Sequence, residues 1–323
     1  MQRRHGIRVC RAVCALALAA AACRPDGAGR YPSRPIRYLI CFEPGGQSDR
    51  EARRQQPLLE KDLGQKVLID YRVGAGGALC WTELARARAD GYLIAGINLP
   101  HVVLQPLRQQ SGYATEDLVP VAVFQRTPLA LVVLESSPYR TLDDFLRAAR
   151  AEPDRVIVGG SGTFTGPHFM ARRLGRLADV RFKYVPFNGS APMITNLLGG
   201  HTQASVAFSD DLVRYAEQIR VLAVADAERF APAPDAPTFR ELGQDIVEVV
   251  DRGVAVPRGT PPEVVSALEA AFLDVMRDPA VPAQMKKEGF VPLAMGSAES
   301  ARHIALLKTR YADALEELAE APP

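Results

Sequence analysis

The sequence predicts an α/β protein with two lobes, each built on parallel sheet. Strand-like apolar runs alternate with helix-length segments along the chain, the pattern of right-handed crossovers between parallel strands. At 323 residues the chain is long for one compact core and comfortable for two. The alternation occurs once in each half with no Pro/Ser-rich linker between them, which favours lobes that share crossover strands over independent domains.

The elements follow in order. Residues 36–41 form a buried strand, and Pro44, Gly45, Gly46, Gln47 and Ser48 turn into a helix over 49–63 that stops at Gly64. A strand over 66–70, a second glycine loop at Gly74, Ala75, Gly76 and Gly77, a helix near 80–88 and a strand over 92–97 complete the first unit. Residues 129–134 begin the second unit as an apolar strand. Thr141 with Asp144 three positions on reads as a capping box for a helix carrying Phe145 and Ala149. A strand over 156–158 leads into a third glycine loop, Gly159 to Thr165, and a helix from near Pro167. Further strands fall at 182–185, 204–208, 221–225 and 254–256. Thr260, Pro261 and Glu263 mark an N-cap, first position and third position. The helix they open places Val264, Leu268, Ala271, Phe272 and Val275 on one face. A last amphipathic helix carries Ile304, Leu307, Tyr311, Leu315 and Leu318.

The net charge of +2 gives no sign of a nucleic-acid partner. Arg3, Arg4, Arg8 and Arg11 precede a short apolar run over 12–22 that ends in four alanines. That is a basic region, an apolar region too short to span a bilayer, and a small-residue cleavage site, which together make a secretory signal. Cys23 directly after the small residues resembles a bacterial lipobox, so it is the lipidation candidate, with ordinary cleavage as the alternative. Residues 23–34 then serve as a leader or tether. Cys41 and Cys80 read most simply as two small buried hydrophobes; an oxidising compartment would also let them pair, and spacing does not decide between the two. Neither has a metal-ligand spacing, and no metal or cofactor is expected.

Glycine lets successive backbone N–H groups converge without a Cβ in the way. At a helix start these groups form an anion site, aided by the helix dipole. The first and third loops, from opposite halves, are therefore candidates to hold a carboxylate without an arginine, and the second loop is a weaker one. His101 and Asp210 are further pocket candidates, Asp210 as a reader of a ligand amine or hydroxyl. Trp81 is expected to pack in the core, His201 to sit on a solvated turn, His168 to pack or cap, and Asp49 to serve its helix start. Enzyme signatures fail: the first strand–helix junction lacks a Gly-x-Gly-x-x-Gly and no glycine loop carries a Walker lysine. Gly159-Gly160-Ser161-Gly162-Thr163 approximates a nucleophile elbow, but Thr163 stands where glycine is needed.

The series Tyr31-Pro32-Ser33-Arg34-Pro35-Ile36, Pro44-Gly45-Gly46-Gln47-Ser48-Asp49, Arg72-Val73-Gly74-Ala75-Gly76-Gly77 and Ala89-Asp90-Gly91-Tyr92 resembles the Bug-type receptors of tripartite tricarboxylate transporters. So do Tyr184-Val185-Pro186-Phe187-Asn188-Gly189, Leu197-Leu198-Gly199-Gly200 and Pro257-Arg258-Gly259-Thr260-Pro261. The resemblance implies a class II periplasmic-binding-protein fold, two Rossmann-like lobes joined by crossover strands around a ligand cleft. It implies a periplasmic receptor rather than an enzyme, a small carboxylate ligand, and a two-subunit membrane permease as partner. It carries ligand binding to Gly45, Gly46, Gln47 and Ser48 in one lobe, Ser161, Gly162, Thr163 and Thr165 in the other, and the segment from Asn98 to His101. One lobe is expected over 35–127 plus 248–323 and the other over 128–247, hinged near 125–130 and 247–252. Departures fall at Glu43, where a neutral residue is usual, at Asn188 in place of a lysine, and at Gln105 in place of an asparagine. A ligand sensor for a signalling protein is the alternative, and an α/β hydrolase using Ser161, Thr163 or His168 a more distant one.

Overall fold

The computed structural model describes residues 31–108 and 111–319. The signal, Cys23 and most of the tether lie outside them. The chain runs β1 (Ile36–Ile40), α1 (Gln47–Leu63), β2 (Val67–Tyr71), α2 (Ala78–Ala85), β3 (Leu93–Leu99) and α3 (His101–Arg108). Next come β4 (Leu118–Leu134), α4 (Leu142–Ala151), β5 (Ile157–Ser161), α5 (Gly166–Leu177), β6 (Lys183–Phe187), α6 (Ser190–Leu198), β7 (Ala204–Phe208), α7 (Ser209–Arg214) and β8 (Ile219–Val224). The chain closes with β9 (Val249–Pro257), α8 (Pro262–Arg277), α9 (Ala280–Lys287), β10 (Val291–Gly296) and α10 (Ser297–Ala319). No helix among the described residues is long and apolar enough to cross a membrane.

The strands form one continuous order, β2-β1-β3-β9-β4-β7-β5-β6, with β8 and β10 pairing on β4. Within each half the pairs are parallel, β2 and β3 on β1, and β6 and β7 on β5. The crossover strands depart from the all-parallel expectation: β9 runs antiparallel to β3 and β4, and β4 antiparallel to β7. The short apolar run seen at 129–134 is the end of a 17-residue strand. Residues 118–128 of β4 pair with β9, and 129–134 with β7 and β8. A strand buried on both faces and shared by two sheet halves reads as a continuous apolar run, so its length is not marked by alternation.

The predicted cores form. Val264, Leu268, Ala271, Phe272 and Val275 bury one face of α8 against β1, β4 and β9. Fully burying a valine, leucine or phenylalanine side chain stabilises by roughly 1.5–3 kcal/mol. Phe145 and Ala149 do the same for α4 in the second half, and the Thr141–Asp144 capping box is present. Gly64 ends α1 at φ +65, a left-handed turn that suits glycine. Trp81 is fully buried and donates its indole N–H to the Gly96 carbonyl at 2.9 Å.

Two expectations are corrected. Pro261, not Thr260, is the N-cap of α8; the Thr260 hydroxyl donates instead to the Pro257 carbonyl at 2.8 Å. Cys41 and Cys80 are not separate hydrophobes but a disulfide, with Cα atoms 5.2 Å apart. β1 and α2, distant in sequence, converge in one core cluster, and this convergence is what brings the two sulfurs together.

Candidate functional site

Between the two sheet halves the loops after β1 and β5 face each other. The first follows Phe42 and enters α1 through Gly45 at φ +76 and Gly46. Asp49 accepts the Gly45 N–H at 2.8 Å and the Tyr71 hydroxyl at 2.6 Å, so it holds the loop, as its place in the first helical turn predicts. No side chain caps α1. The Gln47 N–H reaches across to the Ser190 hydroxyl at 3.2 Å. Ser190 opens α6, which also lacks a side-chain cap. The Gln47 side chain is buried, yet neither its amide oxygen nor its nitrogen has a hydrogen-bond partner within the protein.

The opposing loop leaves β5 at Ser161, which is buried. Gly162 at φ +82 turns the chain, and its carbonyl accepts the Tyr184 hydroxyl at 2.9 Å and that of Thr165 at 3.2 Å. Thr165 is fully buried and N-caps α5. Thr163 presents its carbonyl to Gln105 Nε2 at 2.8 Å, so the unusual glutamine on α3 bridges to the facing loop. His168 accepts the Phe164 N–H at Nδ1, 3.0 Å, and packs on Tyr184 with ring centroids 4.6 Å apart.

A cavity of about 10 Å³, room for roughly one water, separates the loops. Gln47, Ser48, Asn98, Ser161 and Ser190 line it between the rings of Phe42 and Phe208. Arg252, on β9, is its one cationic lining residue. Its guanidinium is buried, donates from Nη1 to the Thr127 hydroxyl at 2.9 Å and lies 5.3 Å from the Phe208 ring centroid. Burial pulls its pKa down to about 10, against the opposing pull of Asp210 and Glu51, so it stays charged near neutral pH. Nε has no partner within the protein.

Of the predicted site residues, Gly46, Gln47, Ser48, Asn98 and Ser161 come together on the cavity. Gly45, Gly162, Thr163 and Thr165 shape the loops around it. His101 stands behind it, edge-on to Phe42 at 5.9 Å, buried, with Nδ1 unpartnered. Burial, helped by the charge of Arg252, depresses its pKa to about 3. Asp210 also sits behind the wall, paired with Arg50, and burial raises its carboxyl above the usual range while Arg50 opposes the rise. Glu43 and Asn188, two of the departures, share an open groove of about 400 Å³ with Pro44, Pro186, Phe187 and Pro192. None of these residues lines the Arg252 cavity. Phe42, Ser190, Phe208 and Arg252 were not singled out in the sequence. The signal available for Arg252 was a charged pair, Asp251-Arg252, inside an otherwise apolar strand.

Residues 52–319 match the family model described as tripartite tricarboxylate transporter family receptor. The Cupriavidus necator UPF0065 protein in gbd 5'region is 32% identical over 310 residues, covering 94% of each chain. MatC from Rhodopseudomonas palustris, solved with bound malate, superposes with a TM-score of 0.83 at 26% identity, covering 88% of this chain and 99% of its own. An R. palustris protein solved with adipate gives a TM-score of 0.84 at 27% identity, covering 91% and 100%. The architecture, a curled open sheet flanked by helices, is that of periplasmic binding proteins. The chain belongs to the receptor family of the tripartite tricarboxylate transporters.

Proposed function

We propose that this protein is a periplasmic solute-binding receptor that captures a small carboxylate-bearing molecule in the cleft between residues 45–48 and 161–165 and delivers it to a two-subunit membrane permease. The observation that carries the reading is a cluster of buried polar groups converging on one cavity from both sheet halves. Gln47 and Arg252 both line it, and both carry buried side-chain atoms that no protein group satisfies. Buried polar atoms are nearly always hydrogen-bonded, so such a cluster suits a polar solute. Uncapped helix starts at Gln47 and Ser190 supply N–H groups of the kind that favour an anion. The malate and adipate bound by the two R. palustris neighbours are of the same class. The halves act as lobes that separate about residues 125–130 and 247–252, because the cavity must widen to admit even a small acid. The disulfide suits an exported protein, and Cys23 is the candidate lipid anchor.

The hydrolase alternative needs a base beside Ser161 or Thr163. The nearest histidine in sequence, His168, commits Nδ1 to the Phe164 N–H instead, and we set that reading below the receptor.

The test is a thermal-unfolding screen of protein refolded from denaturant to strip bound solute. A ligand that binds only the native state raises stability by about 2.7 kcal/mol at a hundredfold excess over Kd. A clear upward shift with one class of mono-, di- or tricarboxylate supports the reading. A panel that stabilises a control receptor but leaves this protein unmoved, while a neutral solute shifts it, refutes the carboxylate assignment.

A further inference from the structure

Arg252 does something that the glycine loops alone do not require. It is 4% exposed and lines the cavity beside Gln47, Asn98 and Ser161. Two of the acids whose charge acts on it are paired with other arginines, and the third, Asp211, accepts the Phe208 N–H. Asp210 pairs with Arg50, and Glu51 pairs with Arg54 and accepts from Gln55 at 2.9 Å. Among the described residues no ion pair joins Arg252 to a carboxylate, and its one hydrogen bond goes to the neutral Thr127. A guanidinium cannot escape by losing its proton. The charges of Asp210, Glu51 and Asp211 act on it from a distance, but none contacts it, and a fixed planar fork is the group best matched to a carboxylate.

We infer that Arg252 is the fixed cation of the binding site, pairing with a carboxylate of the solute and making the receptor select acids over their amides. The inference rests on the receptor reading above and names its specificity residue. The solute supplies the directly contacting carboxylate that Arg252 lacks within the fold. Helix starts and hydroxyls then orient the carboxylate, and Arg252 requires that it be ionised. Its place on β9, bonded to Thr127 on β4, sets this cation on the strands that connect the two sheet halves.

The experiment uses the full mature chain, stripped of solute, with adipate and malate and their monoamides as probes in titration calorimetry. The wild type is expected to bind at least one diacid roughly 100-fold more tightly than the amide that lacks the paired carboxylate. Arg252→Gln is expected to lose about that factor for the acid and to discriminate acid from amide by less than threefold. Without solute, Arg252→Gln should melt within about 3 °C of the wild type, because no direct ion pair is broken; a merely structural arginine, needed to balance Asp210 and Asp211, would lower the midpoint further. Acid affinity within threefold of wild type in Arg252→Gln overturns the inference while leaving the receptor reading standing. A wild type that binds neutral solutes but no acid overturns both. Should Arg252→Gln not fold, Arg252→Lys carries the test. Its acid-to-amide ratio is expected to drop about tenfold with the loss of the planar fork, and an unchanged ratio overturns the inference.

Discussion

Replacing Cys41 and Cys80 together by alanine removes a cross-link that closes a chain segment 39 residues long. Loop-closure entropy for that length gives about 4 kcal/mol of stability at 25 °C. Both cysteines are buried in the cluster that holds Trp81 and Leu84, so alanine leaves small, partly relaxing gaps and adds little to the loss. For a chain of this size, 1 kcal/mol moves the melting midpoint by roughly 2 °C, so the double variant should melt about 6–8 °C lower. The assay is circular dichroism melting with and without reductant. Reduced wild type should fall to the midpoint of the double variant, and the variant should ignore reductant. The closed segment contains the first glycine loop and α1, so the bridge also restrains the element that presents Gln47 and Ser48. A double variant melting within 1 °C of wild type would refute this account.

Gly162→Ala places a Cβ 2.9 Å from Gly76 Cα at a φ of +82; the second and third glycine loops must move apart, and acid affinity in calorimetry should fall tenfold or more, about 1.4 kcal/mol. Unchanged affinity would show that the approach of these loops is irrelevant to capture. His101 has a native pKa of about 3, held down by burial and then by Arg252, against about 6.5 unfolded. The unfolded state therefore takes the proton first, and this stability is complete above about pH 6.5 and drains as pH falls towards 3. Between pH 7 and 5, wild type should lose about 2 kcal/mol more than His101→Gln in urea titrations; equal losses would mean that the imidazole is not buried neutral. Tyr311→Phe removes the 2.6 Å hydrogen bond to the fully buried Glu248 and should cost about 1.5–3 kcal/mol in the same assay. A loss below 0.5 kcal/mol would mean that the donors of Arg310 and Arg173 suffice.

The fold was legible where the signal is local. The Thr141–Asp144 capping box, the Gly64 stop and the apolar face of α8 each depend on residues within a few positions of one another, and each appears where the sequence places it. The sequence was silent where the signal is tertiary. β10 at Val291–Gly296 is a half-exposed edge strand that pairs with β4 across more than 160 positions, and its alternation is too weak to mark it. α3 contains Pro106, which argues against a helix until packing against β3 and α10 is known. The disulfide belongs to the same class. Only the convergence of β1 and α2 puts the two sulfurs within reach.

The site divides along the same line. Its backbone parts, the glycine loops and helix starts, are written as short motifs, because the geometry they impose is set by adjacent residues. Its charge is not. Asp251 and Arg252 are neighbours on one strand, so they point to opposite faces. Asp251 meets Arg126 at 2.8 Å and His303 at 2.7 Å and is satisfied on its own side. Arg252 meets a threonine, a phenylalanine ring and the cavity. The dipeptide reads as a neutral pair that cancels itself on a surface turn or strand edge. Placed in the centre of a buried sheet, it becomes two separate charges with separate partners. Asp251 finds its partners within the protein, whereas Arg252 faces the cavity, which is where the proposed carboxylate would meet it.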